Sequence, residues 1–274
     1  MTENMLHVNG VDLCVETFGD PADPAVLFID GAAASMLWWD AGLCARIAGG
    51  GRFVIRYDQR DTGRSTAYPP GRPGYSNTDL ALDAIGILDA LRIGRAHVVC
   101  RSMSGGLGLI LGVDHPSRVA TLTFVSTSTG ADGLPPSTVE HPEPTGDAVA
   151  DTVAAVRAYA GGSPYFDEAA TLDLARRDAA RAKDIATAAN HYAMRFEPPA
   201  GGGFEDLRVP ALVVHGDLDP LLPLPHGQAV RDAIPGARLV VLHGAGHDLP
   251  PQLWDTFTAE LLRHTGNRPA DPDV

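Results

Sequence analysis

The sequence predicts an α/β architecture: a mostly parallel eight-stranded sheet with helices on both faces and a helical cap inserted between its two halves. Three observations carry this prediction. Short β-rich runs alternate with longer helical ones, the order that builds parallel crossover units. The runs are continuously apolar and β-branched, as strands buried on both faces are. One block, from about 130 to 206, departs from the alternation, being Pro-rich and polar at first and Ala-rich afterwards.

The elements follow in order. "LHVNGVDLCVETFG" holds two apolar runs around Asn9-Gly10, a type I′ turn signal, and predicts an N-terminal antiparallel hairpin. Strands are then predicted at 25–30, 53–58, 96–100, 121–126, 211–216 and 238–244. Between the second and third of these, "SNTDLALDAIGILDALRIG" opens on capping residues, repeats Leu80, Ile87, Leu88 and Leu91 at helical spacing, and closes at Gly94. The divergent block contains helical runs at 147–160 and 167–195 and ends in "PPAGGG". The predicted organisation is therefore a core over 1–129, a cap over 130–206, the rest of the core over 207–266, and a frayed tail over 267–274.

With 274 residues, 45% of them hydrophobic and 20% charged, the chain has enough apolar surface to form a core. Its 21 basic and 34 acidic side chains leave a formal charge of −13, which repels nucleic acid and anionic lipid. The first residues lack a basic segment followed by an apolar core, and no run of about 18 apolar residues occurs, so a cytoplasmic protein without membrane attachment is expected. Cys14, Cys44 and Cys100 are odd in number and far apart, which suits free thiols and predicts no metal site. No nucleotide or flavin motif is present, so no cofactor is expected.

Ligands of open α/β sheets bind at the carboxyl ends of the strands. There the sequence places Asp30-Gly31-Ala32, "YDQRDTGRS", Arg101-Ser102-Met103, "DLDP" and "AGH". A lone serine after a strand is more often a helix cap. Here an aspartate follows a late strand and a histidine the last, the chain order Ser, Asp, His used by α/β-hydrolases. A hydroxyl becomes nucleophilic when an imidazole takes its proton, and a carboxylate fixes that imidazole's tautomer. The candidates are Ser102, Asp219 and His247. Asp219 is preferred to Asp217 by the spacing Gly-x-x-Asp before Pro223, and His247 to His243 by its place on a Gly-rich loop. The amides of Ala32 and Met103 are the candidate oxyanion donors.

The elbow is atypical. Cys100 and Ser104 stand where glycines usually flank the nucleophile, although Gly105 and Gly106 follow directly. Asp30 stands beside the candidate oxyanion amides, where a negative charge opposes the developing one. Arg101 is the candidate to neutralise it as an ion pair at the site.

"FVIRYDQRDTGRST", "DLALDAIGILDALRIGRAHVV", "DHPSRVATLTFVST", "LDPLLPLPHG" and "IPGARLVVLHGAGHDLP" resemble the aclacinomycin methylesterase group of α/β-hydrolases over about residues 5–130 and 207–265. The resemblance implies the α/β-hydrolase fold and the same three residues as nucleophile, acid and base. It also implies methyl-ester hydrolysis on an aromatic polyketide of the anthracycline type, in antibiotic biosynthesis. The expected partner is a small hydrophobic ester, and a homodimer is compatible with the sequence. Trp38, Trp39, Tyr165, Phe166, Tyr192 and Phe196 are candidate pocket aromatics, with core packing the cheaper role for any one of them. Two competing functions use the same fold: a non-hydrolytic tailoring enzyme (lyase, decarboxylase, cyclase or cofactor-free oxygenase), and a binding protein without catalysis.

Overall fold

The computed structural model describes residues 3–266; the predicted frayed tail lies outside the described residues. Eight strands form one sheet: β1 (Asn4–Val8), β2 (Val11–Phe18), β3 (Ala25–Ile29), β4 (Phe53–Tyr57), β5 (Ala96–Arg101), β6 (Val119–Val125), β7 (Ala211–Gly216) and β8 (Arg238–Leu242). The predicted hairpin is β1–β2, and both turn residues have positive φ, Asn9 at 47° and Gly10 at 76°. A type I′ turn needs this, because its twist matches that of the strands.

The spatial order is β1-β2-β4-β3-β5-β6-β7-β8. Strand β2 runs antiparallel to β1 and β4, and all later neighbours are parallel. From β3 the chain first moves outward to β4 and then returns to the other side as β5, so the order reverses between β3 and β5. Ile29 pairs with Cys100 across this switch point. The segments following the two strands, Asp30–Ala32 and Arg101–Met103, therefore emerge side by side.

Alternation along the strands divides the core into two layers. Val98 and Cys100 join the layer beneath α2 (Asn77–Ala90), α3 (Gly105–Asp114) and α7 (Pro225–Ala233), whereas Val99 joins the layer beneath α1 (Ala41–Gly49) and α8 (Trp254–Gly266). Helix α2 begins with a capping box in which the Ser76 amide donates to Asp79 Oδ2 at 2.8 Å. It stops at Ala90, short of the expected Gly94. Arg92 takes a left-handed φ of 59°, which lets the Ile93 amide reach back to the Leu88 carbonyl at 2.8 Å.

Between β6 and β7 the chain forms α4 (Ala148–Tyr159), α5 (Glu168–Arg181) and α6 (Asn190–Ala193), with Asp147 and Asp167 capping the first two. The helical run expected over 167–195 is interrupted after Arg181. Ala182 is extended, the Lys183 amide donates to the Gly63 carbonyl at 2.9 Å, and Asp184 starts a new turn by accepting from the Ala186 amide.

The "YDQRDTGRS" stretch (57–65) holds this insertion to the core. Arg181 places Nη1 2.9 Å from Asp58 Oδ1 and 2.7 Å from Asp58 Oδ2, while Asn190 donates to Asp61 Oδ2 at 3.0 Å. Arg60 in turn grips Asp83 through two 2.7 Å bonds. All three carboxylates are buried, so their charge requires these partners. Among the described residues no helix is long and apolar enough to cross a membrane, no cluster of His, Cys, Asp or Glu is arranged to hold a metal, and the three cysteines are buried and form no disulfide.

Candidate active site

The switch point positions Ser102. Strand β5 delivers it at φ 53°, a left-handed conformation that a residue with a β-carbon adopts only under constraint. Thr127, just past β6, helps supply that constraint by donating its hydroxyl to the Ser102 carbonyl at 2.7 Å. His247, on the loop after β8, lies with Nε2 2.8 Å from Ser102 Oγ. Its Nδ1 is 2.7 Å from Asp219 Oδ2, on the loop after β7. The other Asp219 oxygen accepts from the Leu221 amide at 3.0 Å and the Leu222 amide at 2.9 Å. Asp219 is thus buried, acceptor-only and fully oriented, and the proton it faces belongs to His247 Nδ1. That leaves Nε2 as the acceptor for the Ser102 hydroxyl.

A second histidine stands behind the carboxylate. His215 is fully buried, with Nε2 2.7 Å from the Leu222 carbonyl and 3.5 Å from Asp219 Oδ2. Burial pushes its pKa below the ordinary value, so it is neutral and donates to the carbonyl. The other pair considered from the sequence, Asp217 and His243, forms a separate contact of 2.8 Å, with the His243 side chain 85% exposed. Gly246 lets the His247 loop approach the insertion. A β-carbon there would lie 2.4 Å from the Tyr159 carbonyl, which accepts the His247 amide at 2.9 Å.

The missing elbow glycines are compensated from the helix. Gly108, two turns into the serine-bearing segment, faces Cys100, and a β-carbon on it would sit 2.8 Å from Cys100 Sγ. The space usually left by glycine on the strand is left here by glycine on α3. At the other flank, the Ser104 hydroxyl donates to the Asp30 carbonyl, tying the elbow to the end of β3. Gly108→Ala is expected to destabilise the chain by about 1–3 kcal/mol through overpacking, and Cys100→Gly in the same chain to recover most of that. Additive costs in urea titrations of the two single variants and the double variant would refute the compensation.

Asp30 and Arg101 pair as expected, with both side chains largely buried. Asp30 is 1% exposed, and Arg101 reaches its Oδ1 with Nε at 2.8 Å and Nη2 at 2.6 Å. The same oxygen accepts the Gly31 amide at 2.6 Å, while Oδ2 has no partner among the described residues. Burial pushes the Asp30 pKa up and Arg101 opposes that rise. The guanidinium carbon lies 4.9 Å from the Trp39 ring centre, a cation–π contact.

The oxyanion candidates flank Ser102. Met103 falls in the first turn of a 3-10 helix (Ser102–Ser104), where amides have no intrahelical acceptor. The Ala32 amide has no hydrogen-bond partner among the described residues, whereas the next amide, that of Ala33, donates to His191 Nδ1 at 3.0 Å.

The aromatic candidates separate. Trp39 is 1% exposed, packs on Phe28 and Phe257, and belongs to the core, which corrects its assignment to the pocket. Trp38 donates to Asp178 on α5 at 2.8 Å, Phe166 lies under Arg157, and Tyr165 packs over Gly244. Tyr192 and Phe196 are 68% and 56% exposed. Sequence reading missed Tyr159, whose ring stands edge-on to His247 at 6.2 Å and to His141 at 6.1 Å. It also missed His191, and no local motif marks either residue, because both come from the insertion.

A family model described as the alpha/beta hydrolase fold matches residues 24–252. The chain belongs to the α/β-hydrolase family. Full-length relatives of this α/β-hydrolase include the rhodomycin D methylesterases of Streptomyces sp. (strain C5), 32% identical over 97% of this chain and 98% of that protein, and of Streptomyces peucetius, 31% identical over the same shares. Among solved structures, a putative aryl esterase from Burkholderia cenocepacia superposes with a TM-score of 0.78 at 21% identity, covering 96% of this chain and 97% of its own. At that identity the likeness concerns the fold alone. Relatives and fold together identify a hydrolase.

Proposed function

We propose that this α/β-hydrolase is a serine carboxylic-ester hydrolase that cleaves the methyl ester of a hydrophobic aromatic polyketide, of the anthracycline type, through an acyl-enzyme. The observation that carries the reading is the unbroken hydrogen-bonded chain from Ser102 through His247 to Asp219. His247 Nε2 takes the hydroxyl proton as Ser102 Oγ attacks the ester carbonyl, and Asp219 stabilises the resulting imidazolium. The Ala32 and Met103 amides receive the oxyanion. As the tetrahedral intermediate collapses, the C–O bond to methanol breaks and His247 returns the proton to the departing oxygen. Water then attacks the acyl-enzyme by the same route and frees the carboxylic acid. Support for an aromatic substrate comes from Tyr159 beside His247 and from the exposed Leu218 and Tyr192, carried by the segments that bear Asp219 and His191. The methyl ester itself rests on the likeness to the rhodomycin D methylesterases.

Intact mass after exposure to a small fluorophosphonate tests the nucleophile. Wild type and Ser104→Ala are expected to gain one phosphonyl group with loss of fluoride, and Ser102→Ala none. A folded wild type that stays unmodified would count against an activated serine and turn the search to non-hydrolytic chemistry or ligand binding.

A further inference from the structure

We propose that His191, contributed by the insertion, is a positioning residue that holds the loop after β3 in the conformation that presents the Ala32 amide. The inference rests on the reading of Ala32 as an oxyanion donor. Its geometry does not.

Ala33 has φ 60°, a left-handed conformation in a residue with a β-carbon, and such a conformation persists only where neighbours fix it. The fixing contact is the bond from its amide to His191 Nδ1 at 3.0 Å. That bond requires Nδ1 to be an unprotonated acceptor. The far side of the ring makes it so, since Nε2 lies 2.8 Å from the Arg60 carbonyl and donates to it, placing the single proton there. His191 is fully buried, and burial holds its pKa below the ordinary imidazole value, which favours the neutral ring.

The ring is itself held. Tyr75 packs edge-on at 6.4 Å, and the preceding residue, Asn190, donates to Asp61 Oδ2 at 3.0 Å and accepts the Gly71 amide at 2.7 Å. A chain of buried bonds therefore runs from the Arg60–Asp61 segment through α6 to the backbone one residue beyond Ala32. The exposed Tyr192 follows on the same four-residue helix.

Two substitutions separate this role from simple filling of space. Asn at 191 keeps an acceptor near the position of Nδ1 and loses the reach of Nε2; Gln keeps the longer reach and loses the near acceptor. Exchange of the Ala33 amide with deuterated water, followed by NMR, reads the tether without reference to catalysis. Turnover of p-nitrophenyl acetate reads its consequence. His191→Gln is expected to speed that exchange at least about tenfold and to lower kcat about 10- to 100-fold at nearly constant KM, as for a displaced oxyanion donor. His191→Asn is expected to recover most of both. If Asn and Gln behave alike in exchange, whether both like wild type or equally impaired, the tether is overturned. If wild type neither turns over the ester nor takes up fluorophosphonate, the hydrolase reading falls while the exchange contrast still decides the tether.

Discussion

Asp219→Asn is expected to lower kcat on an activated ester by about 10⁴-fold in a chain that still folds. The size follows from which atoms are already committed. Asp219 Oδ1 accepts two backbone amides, from Leu221 and Leu222. The asparagine oxygen must remain there to keep both bonds, so its NH2 group faces His247. A donor in that place turns Nδ1 into the acceptor and moves the imidazole proton to Nε2, which then cannot receive the proton of Ser102. The expected loss is in kcat, with KM nearly unchanged, because the geometry of binding is retained. Asp217→Asn is the control. Its side chain meets the exposed His243 and the Gly244 amide, and the amide oxygen of asparagine can still accept from the latter. Equal losses in the two variants would remove Asp219 from its assigned role.

The contrast between these aspartates shows how much of the site is legible in the sequence. Chain order and position after a strand point to Ser102, Asp219 and His247, because the sheet fixes where strand ends go and each residue directly or closely follows one, β5, β7 or β8. The same logic places Ala32 and Met103 on neighbouring strand ends. What depends on packing across the chain is not legible. The absent elbow glycines read as an altered but buildable elbow relieved by Gly105 and Gly106; the glycine that faces Cys100 is instead Gly108, on the opposing helix, and that contact shows only in space. Between the two roles left open for Trp39, pocket and core, only the packed structure decides for core, because its neighbours Phe28 and Phe257 come from distant elements. His191 and Tyr159 carry no motif, being brought to the site by an insertion docked on "YDQRDTGRS" through the Arg181–Asp58 ion pair and the Asn190–Asp61 hydrogen bond.

The Asp30–Arg101 pair gives the second large effect, on stability. Arg101→Met is expected to destabilise the chain by about 3–5 kcal/mol, because it leaves a buried carboxylate without its counterion. The double variant Asp30→Asn, Arg101→Met removes the charge as well and should recover most of that loss in urea titrations. The deficit of the single variant also has a direction with pH. Burial already raises the Asp30 pKa, and Arg101 is the largest influence opposing it. Without Arg101 the folded-state pKa rises further above the unfolded one, so between the two values the folded chain keeps a proton that the unfolded chain has released. Stability then falls as pH rises through that window. The deficit should therefore be smallest below about pH 4, where Asp30 is protonated in the unfolded as well as the folded chain, and largest above the folded-state pKa. A deficit below about 1 kcal/mol, or one that does not change with pH, would mean that Asp30 relaxes to water when unpaired. Activity separates a scaffold from an electrostatic role. In Asp30→Asn the side-chain oxygen can still accept the Gly31 amide, so the loop keeps its bond while the charge next to the candidate oxyanion amides is lost. If kcat and its pH profile match wild type, the pair serves as a clamp between β3 and β5, and the carboxylate's field does not reach the reacting oxygen.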